Sequence, residues 1–147
     1  MSIKDSINND LKDAMRAKDQ KLVGTLRLIT AAIKQVEVDE RITVADDRML
    51  VILDKLAKQR KESITQFNNA GREDLVAQEQ YELDIIAKYL PEPLSEAEIN
   101  ALINESIAKH DAKHLSDMGK VMNSLKPLLQ GRADMSKVSA LIKARLS

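Results

Sequence analysis

Residues 22–36 read LVGTLRLITAAIKQV, and their large apolar side chains recur at alternating steps of four and three residues. This spacing puts the apolar side chains on one face of an α-helix, as in the seam of an antiparallel bundle or a short coiled coil. The seam consists of Leu22, Leu26, Ile29, Ile33 and Val36. Such a face needs other helices to cover it, so this stretch predicts a helical bundle.

Capping signals precede this helix and another helix on its N-terminal side. Ser2 with Asp5 has the spacing of an N-terminal cap and its third helical residue, which predicts a first helix. Asp19 is suited to cap the second helix, because its side chain can accept a bond from an unpaired backbone N–H group. The two helices are therefore expected to be separated by a short turn.

Two further helices are predicted before a proline segment. Thr43 and Asp46 form a plausible capping pair for a long third helix over about residues 44–70, and Gly71 is suited to the left-handed residue that ends it. A fourth helix then runs to about residue 89. Pro91 and Pro93 end it because neither ring can donate a backbone hydrogen bond.

The helices predicted after the prolines are shorter. Ser95 and Glu98 have the spacing of a capping box, which predicts a helix that stops near residue 110. Ser116 is expected to start the next helix, Gly131 to form a turn, and Asp134 to cap the last helix. The chain is therefore predicted to be all-α, with an N-terminal antiparallel bundle of about four helices in residues 1–93 and a C-terminal three-helix bundle in residues 94–147.

Composition excludes several classes of function. The chain has 23 basic and 23 acidic residues, so no overall field draws it to DNA or to an anionic membrane, and any nucleic-acid site must be local. Aromatic residues are limited to one Phe and two Tyr, which argues against a platform that stacks single-stranded bases. The absence of Cys excludes thiolate chemistry and suits a reducing compartment. With no apolar leader and no long apolar run, we expect a cytoplasmic protein without a membrane association.

Six blocks of sequence, in their order and spacing, resemble the YqeY family from end to end. The blocks are Thr25–Ile29 with Ala32-Ile33, Lys58–Ser63, Phe67–Leu75, Glu79–Leu83 with Tyr89-Leu90-Pro91, Asp117–Met122, and Gly131–Asp134 with Val138-Ser139. The resemblance implies an N-terminal helical bundle followed by a C-terminal three-helix bundle. It also implies that the C-terminal part is similar to the tail domain of GatB, an amidotransferase subunit, which contacts tRNA.

The resemblance leaves three functions to consider. The first is a non-catalytic module that contacts tRNA, or a tRNA-modifying or aminoacylation-related protein. The second is a protein–protein adaptor with no role in RNA binding. The third is a carbon–nitrogen ligase with glutamine as amide donor, which the resemblance alone suggests and which we do not favour, since the catalytic parts of the amidotransferase lie outside the shared region. No catalytic residue, cofactor or metal site is predicted, and the oligomeric state is left open.

Basic residues of the C-terminal part are the candidate phosphate contacts, because Lys and Arg neutralise the backbone of nucleic acids. This part contains eight basic and six acidic residues. The candidates are Lys120, Lys126, Arg132, Lys137 and Lys143. The run from Lys58 to Lys61 is a second possible phosphate contact, but a solvated helix surface explains it better.

Arginines within apolar stripes are candidates for buried ion pairs, because a buried guanidinium needs a carboxylate partner. Arg27 and Arg60 occupy such positions, and Glu79 and Glu82 are the expected partners, with Asp84 as an alternative.

Two other features favour structural interpretations over binding. His110 and His114 have a spacing that puts two imidazoles on one helix face, but their polar surroundings favour solvated loop residues over metal ligands. Gly119, near the start of a predicted helix with Lys120 beside it, is suited either to close packing against another helix or to phosphate binding, and packing is the preferred interpretation.

Overall fold

The computed structural model describes residues 1–147 and contains seven α-helices and no β-strand, which confirms the predicted all-α class. The chain divides into two compact units, Met1–Leu90 and Pro91–Ser147. The division falls directly before Pro91, whereas the sequence analysis placed the boundary after Pro93. None of the helices combines the length and apolar character needed to cross a bilayer.

The first unit is a bundle of four helices. They are α1 (Ile3–Arg16), α2 (Gln20–Glu40), α3 (Asp46–Asn69) and α4 (Glu73–Ala87). The main packing partners are α1 with α2 and α3 with α4. The seam of α2 supplies Leu26, Ile29 and Ile33 to a core that Met49 and Leu53 of α3 complete from the other side. Burial of such side chains stabilises a fold by about 1.5–3 kcal/mol each, so this seam is a major source of the unit's stability.

Local capping in the first unit follows the sequence signals except at α3. Ser2 and Asp5 form the reciprocal capping box of α1, and Asp19 caps α2 by accepting from the Leu22 N–H group. The prediction that Thr43 and Asp46 cap α3 is wrong, because Ala45 is the N-cap and makes no side-chain bond. The Asp46 carboxylate instead accepts from the Ile3 N–H group at 2.9 Å, which ties α3 to the first turn of α1.

The second unit is a three-helix bundle with its own core. Its helices are α5 (Glu96–Lys109), α6 (Met118–Leu129) and α7 (Met135–Leu146), with a 3₁₀ turn at Leu115–Asp117 before α6. The fully buried side chains are Ile103 of α5, Val121, Leu125 and Leu129 of α6, and Val138 and Ile142 of α7. Their steps of four residues on α6 and α7 show that each helix buries one face only.

Caps and turns of the second unit are mostly as predicted. Ser95 and Glu98 form the capping box of α5, Asp134 caps α7, and Gly131 takes a positive φ of 78° in the turn. The prediction that Ser116 starts α6 is wrong, because Ser116 lies inside the 3₁₀ turn and α6 begins at Met118. The physical reason is that Asp117 accepts bonds from backbone N–H groups before the turn, which organises this connection.

Gly119 does not have the packing role expected from the sequence. A Cβ atom built on it would meet nothing within 4 Å, so no neighbouring helix approaches its backbone. The residue lies exposed in the first turn of α6.

Candidate functional site

The predicted phosphate-contacting lysines lie on the outer surfaces of α6 and α7. Lys126 is in the last turn of α6, and Lys137 and Lys143 are in the first and last turns of α7. All three are exposed, because the buried faces of α6 and α7 consist of other residues, which recur at every fourth position. Three ammonium groups are thus presented to solvent by two packed helices rather than by a loop.

These lysines have no carboxylate partner. The only ion pair in the second unit joins Lys113 to Asp111, and Lys126, Lys137 and Lys143 belong to none of the ion pairs of the chain. An unpaired, exposed ammonium group keeps its full charge for an external anion, since no internal pair must be broken first. The charges of Lys126 and Lys143 are also favourable where they lie, because the C-terminal end of each helix carries partial negative charge.

Lys120 and Arg132, the other two predicted contacts, are partly engaged within the chain. Bonds from the Lys113 and His114 backbone N–H groups hold the pKa of Asp117 below its usual range, and the charge of Lys120 lowers it further. Arg132 Nε donates to the carbonyl oxygen of Glu92 at 3.2 Å. That bond fixes the chain segment that leads into α5, so Arg132 has a structural role whether or not it contacts a phosphate.

Arg145 is a structural residue that sequence reasoning missed. Its Nη2 atom donates to Asn100 Oδ1 at 2.9 Å, and its Nη1 atom donates to Asn104 Oδ1. The guanidinium therefore joins α7 to α5 through two amide oxygens, one helical turn apart. The i, i+4 spacing of two asparagines was the available signal.

The predicted ion pairs divide into one that forms and one that does not. Arg60 Nη2 on α3 lies 3.6 Å from Glu82 Oε1 on α4, and their side chains are only 17% and 8% exposed. Burial raises the pKa of nearby Glu79, the charge of Glu82 raises it further, and Arg60 opposes both effects. The expected bridge from Arg27 is absent, because Arg27 is exposed on α2 and its guanidinium contacts the Met15 sulfur at 3.7 Å.

The first unit also contains a shallow groove of about 370 Å³ between the end of α1, the start of α2 and the end of α4. Asp10, Asp13, Asp19, Lys88 and Tyr89 are among the residues that line it. Its carboxylates are engaged, because Asp10 accepts from Tyr89 Oη at 2.5 Å, Asp13 pairs with Arg16 and Asp19 caps α2. Each of these three carboxylates therefore has a partner within the first unit.

The histidines do not share a helix face. His110 is the C-cap of α5 and His114 lies just before the 3₁₀ turn, so the residues between them are not helical. The four-residue spacing that places two imidazoles together on a helix does not apply here.

Comparison with known proteins gives a match over almost the whole chain. The sequence profile described as "Yqey-like protein" matches residues 4–146. "Altered inheritance of mitochondria protein 41, mitochondrial" of Pyrenophora tritici-repentis is 36% identical over 142 residues, which cover 91% of this chain and 75% of that protein. The proteins of the same name in Eremothecium gossypii and Saccharomyces cerevisiae (strain YJM789) are 39% and 38% identical, over 72% and 70% of this chain.

The matched regions cover 62% of the Eremothecium relative and 55% of the Saccharomyces relative, so this chain spans little more than half the length of the latter. The names of these relatives contradict the cytoplasmic location expected from the sequence, because all three are called mitochondrial. The expectation rested on the absence of cysteine, of an apolar leader and of a long apolar run, and none of these features distinguishes the cytoplasm from another reducing compartment.

Proposed function

The chain belongs to the YqeY family, and from that premise we propose that it is a non-catalytic accessory module that contacts tRNA through its second unit. Lys126, Lys137 and Lys143 are the principal phosphate contacts in this proposal, and Lys120 and Arg132 are additional ones. The observation that carries the proposal is the set of three exposed, unpaired lysines on adjacent helices of a unit with an excess of basic residues.

Recognition through this surface reads the shape and charge of the RNA rather than its bases. Double-stranded RNA is bound mainly through its phosphates and 2′-hydroxyl groups, and three lysines supply phosphate contacts. Base stacking would need aromatic side chains, and the one Phe and two Tyr of the chain all lie in the first unit. The GatB resemblance of residues 94–147 supports tRNA as the class of RNA.

Filter binding of unfractionated tRNA to the full chain across a series of salt concentrations tests this proposal. The logarithm of the affinity falls linearly with the logarithm of the salt concentration, and each lost phosphate contact makes this slope shallower by about one unit. We therefore expect simultaneous Lys126→Glu, Lys137→Glu and Lys143→Glu substitutions to reduce the slope by about two to three units and to weaken binding at least tenfold at roughly 0.1 M salt.

The matched control reverses three exposed lysines of the first unit that belong to none of the ion pairs of the chain, Lys12, Lys55 and Lys88. This control changes the net charge equally and is expected to retain most of the affinity. A triple Lys→Gln variant of the second unit removes the same contacts without adding negative charge at two helix C-terminal ends, and circular dichroism shows whether its helices are retained. Equal losses in the two charge-reversed variants, or no binding by the unmodified chain, would refute the proposal.

A separate assay addresses catalysis. Incubation of the purified chain with glutamine, ATP and Glu-tRNA is expected to yield no amide product, because the proposed module contributes contact and no reactive group. Formation of Gln-tRNA that depends on this chain would refute the non-catalytic part of the proposal.

A further inference from the structure

The side of α2 that faces away from the core carries a second apolar pattern. Leu28 and Val38 are 51% and 63% exposed, although both are large aliphatic residues. Gly24, Ala31 and Gln35 share their face, with steps of four, three, four and three residues from Gly24 to Val38. We call these five residues the α2 outer face. Its spacing is that of a helix seam, and no element of the chain covers it.

Gly24 gives an independent indication that another helix approaches this face. A glycine within a helix is unfavourable relative to alanine, so its presence needs a reason. The fold supplies none, because a Cβ atom at Gly24 would meet nothing within 4 Å. A glycine on an outer helical seam allows the backbone of a partner helix to come close, as small residues do at helix interfaces.

Unpaired positive charge lies along one edge of the α2 outer face. Arg27 and Lys34 are seven residues apart, so they occupy equivalent edge positions, and Arg41 is exposed at the C-cap of α2. None of the three belongs to an ion pair of the chain. In paired helices, charges at these edge positions determine which partner and which orientation are accepted.

We propose that the α2 outer face binds an amphipathic helix of another protein, with an apolar stripe and an acidic edge. The apolar stripe of such a helix covers Leu28 and Val38, and its carboxylates meet Arg27 and Lys34. A second copy of this chain fits poorly, because a two-fold antiparallel pair of α2 helices would set the two basic edges side by side. This surface is separate from the lysines of the second unit and does not depend on the proposed tRNA contact.

The test uses two synthetic helical peptides of about three heptads, which share one Leu and Ala stripe. One carries Glu at all edge positions and the other carries Lys. Binding of each fluorescently labelled peptide to the full chain is measured by anisotropy at low salt. We expect the Glu peptide to bind at least about tenfold more tightly than the Lys peptide, and the difference to shrink as salt is added.

Variants locate the binding on the chain. Leu28→Gln with Val38→Gln, which adds no charge, is expected to weaken binding of the Glu peptide at least about tenfold, because these are the two large apolar side chains of the α2 outer face. The matched control, Leu115→Gln with Leu128→Gln, changes two aliphatic side chains of the second unit that are 48% and 53% exposed, and it should leave the affinity unchanged.

Gly24→Ala gives a readout that a merely structural role would not produce. The substitution should raise the melting temperature of the free chain, because alanine favours the helix. It should also weaken binding of the Glu peptide, because the added methyl group obstructs the close approach of the peptide helix.

Three outcomes would overturn the proposal. They are equal affinity for the Glu and Lys peptides, full binding of the Glu peptide by the Leu28→Gln and Val38→Gln variant, and sedimentation of the unmodified chain as a dimer that this variant converts to a monomer.

Discussion

Arg60→Met is the substitution that most sharply tests how the first unit is held together. Arg60 on α3 and Glu82 on α4 form a largely buried ion pair, with 3.6 Å between Nη2 and Oε1. The Nε atom of Arg60 is also buried and has no hydrogen-bond partner. Methionine retains much of the side-chain length but removes the charge. The Glu82 carboxylate would then be buried without its cation.

The size of the effect follows from burial. Removal of one member of a fully buried ion pair costs about 3–5 kcal/mol, because the remaining charge is neither hydrated nor paired. The Arg60 side chain is 17% exposed and its contact with Glu82 is long, so we expect a somewhat smaller loss, about 2–4 kcal/mol. Replacement of both residues, Arg60→Met with Glu82→Leu, removes the unpaired charge and should restore most of the loss, to within about 1–2 kcal/mol of the unmodified chain.

Urea unfolding, monitored by tyrosine fluorescence, measures this change in the free energy of unfolding of the first unit. Tyr81 and Tyr89 are the only tyrosines, there is no tryptophan, and both tyrosines lie in the first unit. The control is Arg72→Met, which removes an exposed ion pair with Asp74 in the same unit and should change stability far less. A loss for Arg60→Met no larger than that of the control, or a double variant less stable than Arg60→Met alone, would refute the reasoning.

Three further predictions concern other contacts. Bonds from Lys4 and the Val44 N–H group lower the pKa of Glu37, so Glu37→Gln should reduce the urea midpoint at neutral pH, and the difference should disappear as acid protonates the carboxylate. Leu125→Ala, in the core of the second unit, should reduce the free energy of unfolding of that unit by about 2–5 kcal/mol. The urea midpoint monitored by circular dichroism should then fall, while the urea midpoint monitored by tyrosine fluorescence stays unchanged. Burial and the bond to Asp10 raise the pKa of Tyr89. The stabilising effect of the protonated Tyr89 side chain should therefore be present at neutral pH and be lost as pH rises through that pKa. Asp10→Ala should lower the pKa of Tyr89, so the absorbance of its phenolate should appear at lower pH.

The elements that the sequence predicts correctly are those specified by neighbours in the chain. The capping boxes at Ser2 and Ser95 are confirmed because their donors and acceptors lie three residues apart. The middle of the α2 seam, Leu26, Ile29 and Ile33, is buried as predicted, since its periodicity encodes one continuous apolar face. The same locality explains the failure at α3, where the Asp46 carboxylate bonds to the distant Ile3 N–H group instead of capping its own helix.

Side chains that act between helices were harder to assign. Arg27 and Arg60 both interrupt apolar patterns, but only Arg60 faces a helix that places a carboxylate opposite it. Periodicity identifies residues that share a face and does not identify the charge on the face that meets them. For the same reason the link from Arg145 to Asn100 and Asn104 was missed. The exposure of Leu28 was likewise not foreseen, because α2 carries apolar side chains on two faces and only one is covered.

The most direct test of the central claim is nuclear magnetic resonance of the isotopically labelled full chain titrated with unfractionated tRNA at low salt. The proposed function predicts that amide shifts concentrate around Lys126, Lys137 and Lys143 in α6 and α7, and that they fade as salt is raised. Shifts centred on Lys58 and Lys61 in α3, or no shifts at any tRNA concentration, would contradict it.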